Sequence, residues 1–170
     1  MSGNAPDVAA PSTEGPVATI PDALLHQAYA DARRRYPEEA CGLLAGPRGD
    51  ALCDHIRVCE NQQGRLHARD PQTHPRDART AYALGFRDLQ YLDDSLGGDQ
   101  PVKIIYHSHV HVGAYFSAED ERAATYEGRL IYPVDYLVID CQADGVRGAK
   151  LFRFRDGAFV QVAEYPGLRA

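Results

Sequence analysis

The chain has no apolar run approaching the roughly 18 residues that cross a bilayer as a helix. Met1 to Pro16 carries neither a basic n-region nor an apolar h-region, so it does not read as a secretory signal, and the expected location is the cytoplasm. Basic charge is short: 18 Lys plus Arg stand against 24 Asp plus Glu, for a net charge of −6. A nucleic-acid binder needs a basic surface to neutralise phosphates, so that class is set aside. Cys41, Cys53, Cys59 and Cys141 show no CxxC spacing, which excludes a zinc ribbon and a thioredoxin-like motif. In a reducing cytosol they are expected as free thiols. There is no internal repeat and no second compositional block. What remains is 170 residues with 44% apolar content, enough for one domain with its own core.

Residues 1–18 are rich in Ala, Pro, Ser, Thr and Gly without apolar periodicity, and read as a disordered leader ahead of a single domain over 19–165. Leu24, Leu25, Ala28, Tyr29 and Ala32 recur at helical spacing between Pro21 and Pro37. Cys41 to Gly46 predicts a buried strand, and Ala51 to Cys59 its hairpin partner. Asn61 to Arg79 is polar and reads as a long loop, with a short strand at Thr80 to Tyr82. Phe86, Leu89, Leu92 and Leu96 mark a helix closed by Gly97-Gly98. Val102 to Tyr106 and Tyr136 to Ile139 predict core strands, and Ser117 opens a helix reaching about Tyr126. Lys150 to Phe154 and Ala158 to Val162 flank Asp156-Gly157, a hairpin turn signal. The mixture predicts a three-layer α/β (α+β) domain.

Chemistry concentrates in His107-Ser108-His109, directly after a predicted core strand. Residues two apart on a strand share a face, so both imidazoles project together. Asp120 lies in the first turn of the following helix, where its carboxylate can point back over the strand end. Two His and one carboxylate leave a fourth position open, the arrangement of a catalytic rather than a structural zinc. HxH alone also occurs as a satisfied polar pair or a surface metal site. The order strand, HxH, loop, Ser-x-x-Asp at a helix start narrows that choice. A metal-assisted hydrolysis needs a group to take and return a proton, and Glu38 and Glu39 stand before the Cys41 strand. By themselves the two fit a solvated turn.

Tyr36 to Gly46, with His107-x-His109, Ser117 and Asp120, resembles the JAMM/MPN+ metallopeptidase family (Mov34 type) over about residues 20–162. The likeness is greatest to its small single-domain bacterial members. These include a peptidase that removes cysteine from the C-terminus of a ubiquitin-like sulfur carrier. The resemblance implies a cytidine-deaminase-like fold, a central mixed sheet flanked by helices. It implies zinc held by His107, His109 and Asp120, proton transfer by Glu39, and a hydrogen bond from Ser117 to the water or the oxyanion. It further implies an extended Gly-Gly tail as substrate, received by a groove that 61–79 and 110–116 would line. Two positions depart from the family pattern: Val110 and Phe116 stand where prolines are usual.

His111 continues the alternation and reads as a loop histidine near the substrate path, not a ligand. Tyr106 and Tyr115 flank the site and read as packing residues. A metal-free MPN-type scaffold is the competing class, but such scaffolds lose the ligands that this chain keeps. A deubiquitinase-like isopeptidase on another conjugate also remains open. A deaminase would need a PCxxC run, which is absent. The sequence leaves the oligomeric state, a homodimer included, undetermined.

Overall fold

The computed structural model describes residues 13–169. In chain order the elements are α1 (Asp22–Arg35), β1 (Cys41–Ala45), β2 (His55–Cys59), α2 (Gln63–Arg69), α3 (Phe86–Ser95), β3 (Val102–Val110), α4 (Ala118–Ala124), β4 (Thr125–Tyr126), β5 (Arg129–Leu130), β6 (Asp135–Gln142), β7 (Gly145–Arg155) and β8 (Ala158–Arg169). Six strands form one sheet in the order β2-β1-β3-β6-β7-β8, and β4-β5 pair separately. Within the large sheet β3 and β6 run parallel, while the other neighbours are antiparallel. A parallel pair needs a crossover. That crossover carries the 111–117 loop and α4, which is why Asp120 comes to lie near the C-terminal end of β3.

Each face of the sheet has its own core. The apolar stripe of α1 packs with Ile104, Tyr106, Leu137, Ile139 and Leu151 on one side. On the other, Leu92 of α3 and Ala124 of α4 pack with Leu43, Ile105, Tyr136 and Phe154. Helix, sheet and helix therefore make three layers, as expected. Gly42 is required where β1 passes the Tyr106 ring, because a Cβ there would stand 2.3 Å from a ring carbon. The predicted turn is also present. Asp156 and Gly157 both have positive φ, 50° and 80°, the conformation that a two-residue hairpin loop demands.

Three expectations change. The segment 61–79 is not all loop: α2 occupies Gln63–Arg69, and its first N–H is received by the Asn61 side chain rather than by a cap at Gln62. Thr80 to Tyr82 is irregular rather than a strand. The leader reading falls partly on residues 1–12, which lie outside the described residues. Its last part, 13–18, is fastened to the domain. The Thr13 hydroxyl donates to the Val134 carbonyl at 3.2 Å, and Arg153 donates to the Gly15 and Pro16 carbonyls. Ala18 is 8% exposed and joins the core on the α1 side. Low periodicity concealed this because most of the segment is held through its backbone, and only Val17 and Ala18 reach the core. Among the described residues no helix is long and apolar enough to cross a membrane.

Candidate metal centre

His107 and His109 lie near the end of β3, flanked by β1 and β6, on the face shared with Ile105. Both are buried, at 0% and 3% exposure, as is Asp120 at 7%. Ser117 caps α4: its Oγ accepts from the Asp120 N–H at 3.1 Å, and its own N–H donates to Asp120 Oδ2 at 2.9 Å. This reciprocal capping box fixes the carboxylate direction. Asp120 Oδ1 then lies 3.0 Å from His107 Nε2, and Oδ2 lies 3.0 Å from His109 Nε2. The two Nε2 atoms are 3.2 Å apart.

The donor set fits a metal ion. His109 Nδ1 faces the Gly113 carbonyl at 3.0 Å. A carbonyl only accepts, so Nδ1 carries the proton and Nε2 presents a lone pair. That lone pair points at an anionic oxygen and at a second imidazole nitrogen, and a cation relieves such a convergence. Donors about 2.0–2.1 Å from a tetrahedral zinc stand roughly 3.3 Å from one another. The observed separations of 3.0–3.2 Å are close to that spacing. Burial acts to raise the Asp120 carboxyl, but where no cation is bound and the imidazoles instead carry protons toward it, they outweigh burial and hold the group well below the usual carboxylate range. His107 stacks on Tyr82, with ring centroids 4.4 Å apart, and its Nδ1 has no hydrogen-bond partner.

Glu39 and Glu38 separate cleanly. Glu38 is exposed. Glu39 is 5% exposed and lines a cleft of about 320 Å³ together with His109, Ser117 and Asp120. Its Oε2 has no hydrogen-bond partner. Burial first, and then Asp120, pushes its carboxyl up to about 9, with Arg76 acting in the opposite sense. A bound cation would likewise favour the ionised form.

Several residues that hold this arrangement carry no motif. Ser108 points to the opposite face from its flanking histidines, and its Oγ accepts from the Ala40 N–H at 2.8 Å. It thereby anchors the residue beside Glu39. The Asn61 amide donates to the Glu39 and Ala81 carbonyls and accepts from the Gln63 and Ala83 N–H groups. The HSH alternation could have pointed to Ser108. Asn61 offers only the weaker signal of an Asn just ahead of a helix; three of its four partners are backbone groups 20–22 residues away.

His111 is not in the cleft. Its backbone turns at φ 67°, its Nε2 lies 2.6 Å from the Tyr36 hydroxyl, and its Nδ1 lies 3.3 Å from Gln142 Oε1. The expected position near the substrate path is thus corrected, because the positive φ swings the side chain off the alternating face. Tyr106 packs away from the site and donates to Asp31 at 2.9 Å. Tyr115 sits edge-on to His109 at 5.0 Å and lines the cleft. Of the segments expected to form the groove, Arg76, Arg79, Val110, Val112 and Tyr115 do so. Phe116 instead enters an aromatic cluster with Tyr136, Phe152 and Phe159. All four cysteines are buried and free.

A family model described as prokaryotic homologs of the JAB domain matches residues 21–153. The chain belongs to that family. The matched span of this JAB-domain protein contains Glu39, His107, His109, Ser117 and Asp120, the residues that carried the JAMM/MPN+ resemblance. Proteins named CysO-cysteine peptidase from Mycobacterium tuberculosis and Mycobacterium bovis are 29% identical to it over 140 residues, covering 81% of this chain and 83% of theirs. The JAB-domain chain also resembles two solution structures. One, from Desulfitobacterium hafniense, has a TM-score of 0.58 at 20% identity, covering 86% of this chain and 90% of that one. The other, from Salinibacter ruber, has a TM-score of 0.56 at 21% identity, covering 85% and 88%. At those identities the likeness concerns the fold alone.

Proposed function

We propose that this protein is a zinc-dependent peptidase that hydrolyses an amide bond at the C-terminal tail of a ubiquitin-like sulfur carrier, releasing cysteine or a short extension. The observation that carries the proposal is the convergence of His107, His109 and Asp120 beside Glu39, whose unpartnered Oε2 belongs to the same cleft. The mycobacterial relatives, named as peptidases for a cysteine conjugate, support the substrate class. A zinc ion held by the three donors would supply Lewis-acid activation of water.

The chain's own groups account for the proton traffic. Glu39 takes the proton from water as the oxygen attacks the scissile carbonyl carbon. It then delivers that proton to the leaving nitrogen as the C–N bond breaks. The Ser117 Oγ already accepts from Asp120, which leaves its hydroxyl proton to donate to the oxygen that gains charge. Buried Glu39 is shielded from bulk solvent, and Ser108 and Asn61 fix its backbone.

The test is Glu39→Gln in zinc-loaded protein, with a sulfur carrier bearing a cysteine after Gly-Gly as substrate and mass spectrometry as readout. One zinc per chain is expected in both proteins, with cleavage slowed about 10²–10⁴-fold in the variant. Glu38→Gln should do far less. Absence of zinc uptake, or equal cleavage by Glu39→Gln, defeats the proposal.

A further inference from the structure

The cleft beside the metal donors is lined by three arginines, Arg76, Arg79 and Arg122. The same lining holds three carboxylates, Glu39, Glu119 and Asp120, so the arginines balance them formally in a chain whose net charge is −6. The fixed carboxylates do not use up the positive charge. Glu119 serves two of the arginines, at 2.8 Å from Arg122 and 3.7 Å from Arg76. Arg79 has no carboxylate within ion-pairing distance among the described residues, and its neighbour Asp77 is engaged with the Arg79 backbone N–H. Asp120 is committed to the imidazoles, and Glu39 is buried.

These arginines do not all stand on mobile surface. The segment bearing Arg76 and Arg79 is fastened at several points. Gln63 donates to the Arg76 carbonyl at 2.8 Å, the Glu39 N–H donates to the Ala78 carbonyl at 2.7 Å, and Asn61 donates to the Ala81 carbonyl at 3.0 Å. Ala78 is 4% exposed and plugs the segment into the domain. The same strand end that carries Glu39 therefore positions the arginine segment. Arg122 comes from α4, the helix that carries Asp120.

We propose that Arg79, assisted by Arg76 and Arg122, receives the free α-carboxylate of the residue on the leaving side of the scissile bond. The inference rests on the peptidase reading above and deepens it: the enzyme is a carboxypeptidase for a short C-terminal extension rather than an isopeptidase. The chemistry separates the two. A residue removed from a chain end carries a carboxylate close to the bond that breaks, and a guanidinium fork matches a carboxylate with paired hydrogen bonds. An isopeptide leaving group is a lysine side chain whose own carboxyl is tied up in a peptide bond. Hydrolysis puts the water OH on the acyl carbon and the water proton on the departing amine. A free amino acid then leaves with its carboxylate intact.

The test uses the zinc-loaded full chain and two peptides ending Gly-Gly-Ser, one a free acid and one a C-terminal amide. Serine replaces cysteine so that no thiol competes for the metal. The acid is expected to be cleaved at least tenfold faster in kcat/KM than the amide, and Arg79→Ala should bring the ratio close to one, with Arg79→Lys intermediate. Binding gives a second readout. In Glu39→Gln protein the acid should bind at least tenfold more tightly than the amide by calorimetry, and adding Arg79→Ala should erase that preference. Zinc content and the unfolding midpoint report whether the variants fold. Equal cleavage and equal binding of acid and amide overturn the carboxylate inference and leave the peptidase reading intact. Cleavage of neither peptide, nor of a whole carrier, overturns the peptidase reading and this inference with it.

Discussion

Glu39 is 5% exposed while Glu38 beside it lies in solvent, and one residue's difference in position along the chain sets their chemistry apart. In metal-free protein the Glu39 carboxyl is raised from an ordinary 4.5 to about 9, by burial and then by Asp120. The folded state then keeps a proton that the unfolded chain gives up. Stability contributed in this way is fully present below the ordinary value and declines as pH rises toward 9. Glu39→Gln cannot ionise and escapes the decline. With chelator present, the variant should gain on the native protein by an amount that grows from near zero at about pH 5 to a few kcal/mol at about pH 9. Thermal unfolding across that range measures it. A difference that does not change with pH would show that Glu39 ionises freely in the fold. Asp120 behaves oppositely: its carboxyl is held low, so its contribution is lost only as pH falls.

At the scale of elements, the reading from sequence succeeded where a local rule applies. The β3 run, the α1 stripe and the Asp156-Gly157 turn each follow from periodicity or from backbone conformation, and each is observed. So is the HxH pair on one face, because strand alternation alone dictates it. The failures share a cause. α2 is short and capped from Asn61, one residue ahead of the usual capping position, Thr80 to Tyr82 is fixed by distant hydrogen bonds, and residues 13–18 are gripped by Arg153, so each leaves little trace in local pattern. Asn61 is the sharpest case. It joins the Glu39 strand to the segments at Ala81 and Ala83 through four hydrogen bonds. Asn61→Ala orphans those backbone groups, each costing about 1–3 kcal/mol when buried. A net loss of roughly 2–4 kcal/mol is expected in denaturant unfolding. Zinc content should persist, since no donor is touched, while turnover falls because Glu39 loses its anchor. Loss of zinc with turnover preserved would contradict this assignment.

Across the whole molecule, Arg153 of β7 reaches beneath the N-terminal segment and pairs with buried Asp135 of β6 at 2.9 Å. Burial still outweighs the arginine and leaves the Asp135 carboxyl raised, so the pair serves to place the segment more than to stabilise the sheet. Arg153→Ala leaves Asp135 buried without its partner and should cost about 3–5 kcal/mol in denaturant unfolding, most of it recovered when Asp135 is also made apolar. A loss below about 1 kcal/mol would show that water replaces the arginine. The candidate metal donors lie much closer to one another along the chain than to the group beside Glu39. His107 and His109 are 2 residues apart, and His109 and Asp120 are 11 apart. The contact that seats Glu39, between Ala40 and Ser108, closes a span of 68. Loops of about ten residues close in roughly 10–100 ns, whereas pairing of distant strands is slow because chain entropy must be lost first. The three candidate donors are therefore expected to meet early in refolding, with Glu39 joining them later. In stopped-flow refolding, uptake of zinc reported by a competing dye should precede the return of hydrolysis. On the zinc-peptidase reading proposed above, a nascent or partly folded chain would hold its metal before it could cut, because Glu39 waits for the long-range pairing of β1 with β3.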